Sequence, residues 1–340
     1  MASTVSCTVA LITALASALT GCGQGGPKIT DQAPAATPAV SPPPASPPAG
    51  TVLPIGAKIS AAAVDEATGT LAIAVSDPDR LLLINLAALD AQPHTVRLPG
   101  RVEQLDQTGV DGQLLAPVAS AGQLLTVDVI SGQTRSVDVE GGPVAAAVVA
   151  GRTVVALASR PGVAVLDGGR VRHTQDQFVG PAVVVAAGAT AAVLDRMRTA
   201  LTVLDPADAG GDPVKLGPSL RAGNGATNAV GDRFGRVLVT DTRDGELLAF
   251  SADPLIMRQR FPTPGAPYAI AYDPARDLAW VTLTERNEVV GFHVAGGEPV
   301  ERYRLATVRQ PNTVAVDPRS GAVIVGSGTG DGVQVVEKYE

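Results

Sequence analysis

Histidine and carboxylate side chains are the groups of this sequence that could carry metal or acid–base chemistry. The three histidines, His94, His173 and His293, lie in separate stretches, and none has a second histidine or a carboxylate at metal-ligand spacing. No G-x-S-x-G motif for a nucleophilic serine occurs. Asp77 and Asp79 lie in a segment typical of a solvated turn. The sequence therefore predicts no catalytic residue, no metal and no cofactor.

Gly21, Gly23 and Gly26 have the G-x-G-x-x-G spacing of a dinucleotide-binding loop. That function needs a strand before the motif and a helix after it, and the sequence predicts neither. Residues 8–19 form an uncharged apolar run that fits the hydrophobic region of a secretory signal. This run is too short to span a bilayer, which takes about 20 residues. The glycine spacing is therefore a coincidence within a leader segment.

The residues Leu19-Thr20-Gly21-Cys22 that end this run resemble the lipobox of bacterial lipoproteins. The resemblance implies that residues 1–21 are a signal peptide and that Cys22 becomes a diacylglyceryl-modified N-terminus on the extracytoplasmic face of the cell membrane. The alternative is a free cysteine beside an ordinary signal-peptidase site. One departure is that residues 1–7 contain no Lys or Arg, although the start of a signal is normally positive.

The composition limits the choice of partners. The 340-residue chain has a net charge of -7 and no concentration of basic residues, which argues against nucleic acid as a partner. Both cysteines, Cys7 and Cys22, lie in the first 22 residues, so the rest of the chain has no disulfide. Arginine strongly outnumbers lysine and Ala, Gly and Val are abundant, which is typical of a GC-rich, actinobacterial-type genome.

A proline-rich segment follows the lipobox. Residues 23–50 contain eight prolines and almost no large apolar side chains, so they cannot bury enough surface to fold alone. We expect residues 22–50 to be a lipidated, disordered linker in extended polyproline II conformation. The favoured role is a passive spacer, and the alternative is a ligand for a proline-binding domain.

From residue 51 to residue 340 the chain repeats with a period of about 42 residues. Each unit has an apolar strand that ends in Asp, a turn, a second strand, a polar loop and a third strand. The Asp positions that define the period are Asp65, Asp106, Asp232, Asp273 and Asp317. Two degenerate units, with Val149 and Ala187 at this position, fill the gap between the second and third Asp, which makes seven units.

Repeats of this length and content predict an all-β, seven-bladed β-propeller of four-stranded antiparallel blades. The Asp followed by Gly supplies turn chemistry, because Asp accepts local backbone hydrogen bonds and Gly adopts positive φ. The last unit offers only three strands, and an unassigned strand, Thr51–Gly56, precedes the first unit. We therefore expect the N-terminal strand to complete the last blade.

The second and third strands of several units resemble the YVTN family of propeller repeats. Trp280–Phe292 (WVTLTERNEVVGF) and Leu238–Phe250 (LVTDTRDGELLAF) match its pattern, with Leu283 and Asp241 in place of the first Asn. Ile324–Val336 keeps the spacing without the residues. The resemblance implies a propeller fold, which hosts lactonases, reductase subunits and many non-enzymatic surface proteins.

The remaining place for function is the mouth of the central channel, where the first strand of each blade begins. Counting five residues back from each repeat position gives a predicted ring of Ser60, Arg101, Val144, Ala182, Thr227, Tyr268 and Asn312. Its polar or aromatic members are the predicted ligand-facing residues Arg101, Thr227, Tyr268 and Asn312. An anionic or sugar-like group would meet Arg101 and Tyr268 there.

This predicted ring contains no acid and no imidazole, whereas a propeller hydrolase needs a general base or a metal-ligand set. We therefore expect a monomeric, lipid-anchored binding or scaffold module of the cell envelope. Its partner would be an envelope protein, a glycan or a small ligand. The alternatives are a lactonase-like small-molecule hydrolase and an electron-transfer subunit, although the latter lacks any cofactor ligand set.

Replacing Cys22 by Ala should release the protein from the membrane fraction, because the diacylglyceryl group is the predicted anchor. Two acyl chains contribute about 0.8 kcal/mol per buried CH₂, which is enough for firm attachment. Fractionation in high salt and lipid mass spectrometry of both proteins would measure this. A Cys22→Ala protein that stays membrane-bound in high salt would contradict the lipobox assignment.

Overall fold

The chain is represented by a computed structural model that describes Met1, residues 34–208 and residues 215–339. The predicted signal peptide and Cys22 lie outside the described residues. Within the described residues, 28 strands form seven four-stranded antiparallel sheets that are the blades of a β-propeller. The described part contains no helix that is long and apolar enough to cross a membrane.

Strand β1 (Thr51–Leu53) precedes the strands of blade 1. Blade 1 consists of β2 (Ile59–Asp65), β3 (Thr70–Val75), β4 (Arg80–Asn85) and β5 (His94–Arg97). Blade 2 consists of β6 (Asp106–Gln107), β7 (Gln113–Val118), β8 (Gln123–Asp128) and β9 (Thr134–Asp138). Blade 3 consists of β10 (Pro143–Val149), β11 (Arg152–Leu157), β12 (Gly162–Asp167) and β13 (Arg170–Gln175).

The remaining blades continue in chain order. Blade 4 consists of β14 (Pro181–Ala187), β15 (Thr190–Asp195), β16 (Ala200–Leu204) and β17 (Leu216–Arg221). Blade 5 consists of β18 (Ala226–Gly231), β19 (Arg236–Asp241), β20 (Glu246–Ala252) and β21 (Leu255–Pro262). Blade 6 consists of β22 (Pro267–Asp273), β23 (Leu278–Leu283), β24 (Glu288–His293) and β25 (Val300–Ala306). Blade 7 consists of β26 (Pro311–Val316), β27 (Val323–Ser327), β28 (Val333–Val336) and β1. Single 3₁₀ turns span Ala119–Ala121 and Pro206–Asp208.

The hydrophobic core lies between neighbouring blades. The second strand of a blade is covered on both faces, so its sequence is continuously apolar, as in Leu71–Val75 of β3, all of it buried. Outer strands have one exposed face and alternate, as in β21, where buried or half-buried residues alternate with exposed ones. The only tryptophan, Trp280, is fully buried against Gly291 and stacks on Tyr303.

The repeated Asp residues build the turns between the first two strands, as the sequence predicts, in four of the five units. The Asp232 carboxylate, for example, accepts the backbone N–H groups of Phe234 and Arg236 at 2.9 Å each. Asp65 also accepts the backbone N–H of Gly112 in the next blade at 3.0 Å, which ties two blades together.

In blade 2 the predicted repeat position is wrong by two residues. Thr108 occupies the turn position there, since its hydroxyl accepts the Val110 N–H at 3.0 Å. Asp106 instead pairs with Leu115 across β6 and β7, as Ala63 pairs with Ala72 in blade 1. Asp106 is therefore an inner-strand residue and not a turn residue.

The predicted closure of the ring is confirmed. Strand β1 pairs antiparallel with β28, with Thr51 opposite Val335 and Leu53 opposite Val333. The outer edge of blade 7 is thereby covered, and the two ends of the propeller are held in one sheet.

The expectation of a disordered linker up to residue 50 is wrong for residues 34–50, which we call the strap. The strap crosses blades 5, 6 and 7, beginning where Arg243 donates to the Pro34 carbonyl at 2.8 Å. Ser41 at its centre is buried and donates to the Thr284 carbonyl at 2.5 Å. At its end, the Ala49 N–H donates to the Ala306 carbonyl at 3.0 Å.

Side-chain amides of the propeller hold the strap. Gln310 accepts the Ser41 N–H at 3.0 Å and donates to the Ala39 carbonyl at 2.8 Å. Asn287 donates to the Pro42 carbonyl at 2.9 Å. A proline-rich extended chain has free carbonyls and few N–H groups, so amide donors from a folded partner satisfy it without any hydrophobic core.

Truncation should separate the contributions of the strap and of β1. Deleting residues 1–33 removes none of the contacts described above, so its thermal unfolding temperature should equal that of the full chain. Deleting residues 1–50 should lower it by several degrees, since each buried amide left unpaired costs about 1–3 kcal/mol. Deleting residues 1–56 should lower it most, because the edge of β28 becomes unpaired. Equal unfolding temperatures for the first and third truncations, measured by calorimetry, would contradict closure by β1.

Candidate ligand-binding site in the central channel

The inner strands of the blades surround a central channel that contains a cavity of about 490 Å³. Blades 1, 2, 4, 5, 6 and 7 contribute residues to its wall. Small and aliphatic side chains make up much of this wall, and polar side chains are interspersed along it. The polar lining side chains used below are those of Arg101, Glu103, Gln104, Asp106, Arg196, Asn228, Tyr268 and Asn312. A cavity of this size suits a small-molecule ligand.

Three of the four predicted ligand-facing residues line this cavity, namely Arg101, Tyr268 and Asn312. Thr227 does not, and its prediction is wrong. It is fully buried, and its hydroxyl lies 2.6 Å from the hydroxyl of Thr242 and 3.2 Å from that of Thr240. A buried hydroxyl needs hydrogen-bond partners, and these two threonines turn the Thr227 side chain into the sheet.

Asn228 faces the channel in place of Thr227. Its amide donates to the Tyr268 carbonyl at 2.9 Å and accepts from the Arg196 guanidinium at 3.0 Å. Arg196 also donates to the Thr227 carbonyl. These contacts join blades 4, 5 and 6 at the channel wall. Sequence analysis missed Arg196 because it lies in the loop between the second and third strands of its blade, away from the strand entrances.

Arg101 is less available to an anion than the sequence suggested. Its guanidinium lies 3.3 Å from the carboxylate of Glu103, and both side chains are 57% exposed. The pair is close to neutral as a unit, so Arg101 brings little free positive charge to the mouth. Glu103 was missed because the repeat position of blade 2 was placed two residues too early. Counted five residues back from Thr108, the ring position of blade 2 is Glu103.

The prediction that the channel contains no acid is wrong, since Glu103 and Asp106 both line it. Asp106 is partly buried. One of its carboxylate oxygens accepts the Gln107 N–H at 2.7 Å, and the other lies 3.5 Å from the Gln104 side-chain amide nitrogen. Within the described residues it forms no ion pair. Burial raises the pKa of Asp106 to about 7, against the opposing effect of the Gln107 hydrogen bond.

Gln104 adds a second acceptor beside Asp106. Its amide nitrogen donates to the Val184 carbonyl at 3.3 Å, which fixes the side chain across the channel towards blade 4. Its carbonyl oxygen is buried and has no hydrogen-bond partner among the described residues. The wall therefore contains two neighbouring acceptor residues. Within the described residues, the Gln104 carbonyl oxygen has no hydrogen-bond donor and the Asp106 carboxylate has no cation beside it.

A cluster of three acidic residues in blade 5 has a structural role. Asp241, Asp244 and Glu246 offer carboxylate oxygens within 4.8 Å of one another. Asp241, however, accepts the backbone N–H groups of Asn224 and Gly225, and Arg260 pairs with Glu246 at 2.6 Å. Hydrogen bonds and an ion pair within the blade thus account for this cluster.

The histidines do not contribute to the cavity. His94 lies on β5, His173 on β13 and His293 at the end of β24, and none is among the described residues that line the channel. Imidazole chemistry in the channel is therefore not available from this chain.

The sequence matches no protein-family model and no curated protein. The fold is similar to the hydrazine synthase of Kuenenia stuttgartiensis, with a TM-score of 0.69 and 15% identity over 85% of this chain and 97% of that one. It is also similar to a streptogramin B lyase, with a TM-score of 0.69 and 11% identity over 85% and 96% of the two chains. The virginiamycin B lyase from Staphylococcus aureus gives a TM-score of 0.66 at 12% identity over 84% and 96%.

At this level of identity the similarity shows the β-propeller fold alone. A further structure of the Staphylococcus aureus lyase contains quinupristin bound to a catalytically inactive variant in which alanine replaces a histidine, at 12% identity and a TM-score of 0.65.

The raised pKa of Asp106 should make the stability of the propeller depend on pH. The folded state holds the Asp106 proton up to about pH 7, whereas the unfolded chain releases it near pH 4. The resulting stabilisation is complete below pH 4 and is lost as pH rises to about 7. Asp106→Asn removes this dependence, so the mutant should gain stability relative to wild type between pH 4.5 and pH 8, by on the order of 1–3 kcal/mol.

Urea unfolding at pH 4.5, 6 and 8 would measure this difference. Glu103→Gln is the matched control, because Glu103 lines the same cavity but is exposed and paired with Arg101. A stability difference between Asp106→Asn and wild type that stays constant across this pH range would contradict the burial of a titrating carboxyl.

Proposed function

We propose that this protein is a lipid-anchored, extracytoplasmic β-propeller that binds a small solute in its central channel. The observation that carries the proposal is the channel cavity of about 490 Å³, whose wall combines apolar side chains with a few fixed polar groups. Ligand sites are generally concave, largely apolar and equipped with a small number of oriented hydrogen-bonding groups. The anchoring part of the proposal rests on the lipobox that ends at Cys22.

The polar groups of the wall are held in place before any ligand arrives. Asn228 is fixed by Arg196 and by the Tyr268 carbonyl. Asn312 accepts a hydrogen bond from Gln310 at 3.0 Å, and the same Gln310 amide holds the strap. Preorganised donors and acceptors lose little conformational entropy on binding, which favours affinity for a small ligand.

The strap shortens the tether of the anchored protein in this proposal. It joins the channel through Gln310, whose amide bonds both Ala39 of the strap and Asn312 of the cavity wall. Only residues 23–33 then separate Cys22 from the start of the strap, and a chain of eleven residues spans at most about 35 Å. The propeller would therefore stay closer to the membrane than a linker of residues 23–50 would allow.

The alternative function is a small-molecule hydrolase of the lactonase type. One observation favours it: a carboxyl with a pKa of about 7, as Asp106 has, suits a general base at neutral pH. Against it, the described wall places no metal-ligand cluster beside Asp106, and its polar neighbours are the amide Gln104 and the backbone N–H of Gln107. Binding without turnover therefore accounts for more of the site than catalysis does.

A plugged channel would test the proposed function. Ala229 lines the cavity, so Ala229→Trp should fill it, whereas Ala121→Trp adds the same bulk at the exposed 3₁₀ turn Ala119–Ala121. The purified full-length proteins would be equilibrated with a small-molecule extract of the extracytoplasmic fraction, and the retained solutes would be identified by mass spectrometry. We expect solute retention by wild type and Ala121→Trp and none by Ala229→Trp.

Retention that is equal in all three proteins, or absent from all of them, would contradict a channel site. Turnover of a panel of lactones that is abolished by Asp106→Asn would replace the binding function by the hydrolase alternative.

A further inference from the structure

Two neighbouring polar groups of the channel wall, Asp106 and Gln104, lack a full set of partners. Asp106 and Gln104 lie side by side, with 3.5 Å between a carboxylate oxygen and the amide nitrogen. The Gln104 carbonyl oxygen is buried and has no donor within the described residues. The Asp106 carboxylate has one strong donor, the Gln107 N–H at 2.7 Å, and no cation. A buried acceptor without a donor costs free energy. A ligand that donates hydrogen bonds to this pair would therefore be bound favourably.

The basic residues of the cavity are already engaged elsewhere. Arg101 pairs with Glu103 at the mouth. Arg196 donates to Asn228 and to the Thr227 carbonyl across the channel. The remaining titratable lining groups are Tyr268 and Tyr272, and the Tyr272 hydroxyl donates to Asp277 at 2.7 Å. Blades 1, 4 and 7 also line the cavity around Asp106. Apart from Arg196, the lining residues that they contribute are uncharged.

The donor that fits this pair is an organic cation and not a metal ion. A divalent metal requires several carboxylate, imidazole or carbonyl ligands converging on one point, and this part of the wall offers one carboxylate and one amide oxygen. An ammonium or guanidinium group needs fewer partners and carries several N–H donors on one centre. Its charge would be matched by ionised Asp106, and a rotation of the Gln104 side-chain amide would bring its oxygen, which is buried in the unliganded structure, to one of the N–H groups.

The rest of the cavity suits the hydrocarbon part of such a ligand. The inner strands that line the cavity carry small and aliphatic residues, among them the half-buried Ala62, Ala229, Val230 and Ile270. Tyr268 presents an aromatic ring on the wall, a surface on which a cationic group is also favourable.

We propose that the channel binds a small organic cation, a primary ammonium or guanidinium with an apolar body, and that its charged group is held by Asp106 and Gln104. This proposal rests on the proposed channel-binding function and names its ligand class. It replaces the anionic or sugar-like group that Arg101 and Tyr268 suggested in the sequence, because Glu103 neutralises Arg101.

Binding of a cation must then be linked to ionisation of Asp106. The free carboxyl is largely protonated below pH 7, and a cation binds the ionised form, so affinity rises with pH and binding lowers the Asp106 pKa by the same linkage. A neutral ligand would not have this effect, and an anion would have the opposite one.

The probe is n-butylammonium, with n-butanol and butyrate as neutral and anionic controls of similar size. Selective ¹³C labelling of aspartate carboxyl groups would follow the titration of Asp106 in the full chain, assigned with Asp106→Asn. We expect saturating n-butylammonium to lower the pKa of Asp106 by one unit or more, and its affinity to be at least tenfold higher at pH 8 than at pH 5. Butanol should leave the pKa unchanged, and butyrate should not lower it.

Two variants in the same cavity make the result specific. Asp106→Asn should abolish the pH dependence of n-butylammonium binding, whereas Glu103→Gln should retain it, because Glu103 is exposed and outside the acceptor pair. Gln104→Met removes the unpaired oxygen at nearly constant shape and should weaken binding at pH 8 several-fold. It also provides a second test if Asp106→Asn is poorly folded.

If n-butylammonium leaves the pKa of Asp106 unchanged, the proposal is overturned. That result is expected if Asp106 stays protonated, is hydrogen-bonded to Gln104 and binds no cation. Equal binding of n-butanol, or tighter binding of butyrate at low pH, would overturn it as well. These failures are distinct from failure of the proposed function: a solute retained by wild type and lost from Ala229→Trp would still identify the channel as a binding site for another class of ligand.

Discussion

Burial of both faces of every blade is the constraint on which the rest of this structure depends. A four-stranded blade made of valine, alanine, leucine and isoleucine exposes two apolar faces, and only a neighbouring blade on each side removes them from water. Seven such blades leave no uncovered face only if the ring closes. The pairing of β1 with β28 provides that closure by adding the fourth strand of blade 7 from the other end of the propeller. The short aliphatic side chains of the repeats suit this close stacking, and the few aromatic residues are concentrated in blades 5 to 7.

The channel follows from the same constraint. Inner strands from different blades meet around the axis, so side chains that are far apart in sequence become neighbours in one cavity. Gln104 bonds the Val184 carbonyl 80 residues away, and Asn228 bonds the Tyr268 carbonyl 40 residues away. Most positions of such a wall belong to packed sheets, which makes the site rigid. Such rigidity keeps one partly buried carboxyl, Asp106, on the wall with few hydrogen-bond partners.

The strap shows how a segment with almost no large apolar side chains can become ordered on a folded surface. Prolines remove backbone donors and leave carbonyl acceptors, and Asn287, Gln310 and Gln334 supply side-chain amides to those carbonyls. Gln310 belongs both to this contact and to the cavity wall through Asn312. The strap and the proposed binding site are thus joined through one side chain.

The sequence by itself determined the all-β class, the seven repeats, the antiparallel blades and the closing strand, because strand periodicity and turn chemistry are local and recur in every unit. It also placed Tyr268 and Asn312 on the channel wall by their offset from the repeat position. Arg101 lies there too, although it was counted from the misplaced position in blade 2, where the correct offset gives Glu103. Only the tertiary structure decided the rest. Asp106 was mistaken for a turn residue because blade 2 is two residues out of step, and its environment depends on other blades. Thr227 faces the sheet because Thr240 and Thr242 complete its hydroxyl. The strap was predicted to be disordered because its composition excludes a core of its own; its partners lie about 240 to 290 residues away, and no local pattern contains them.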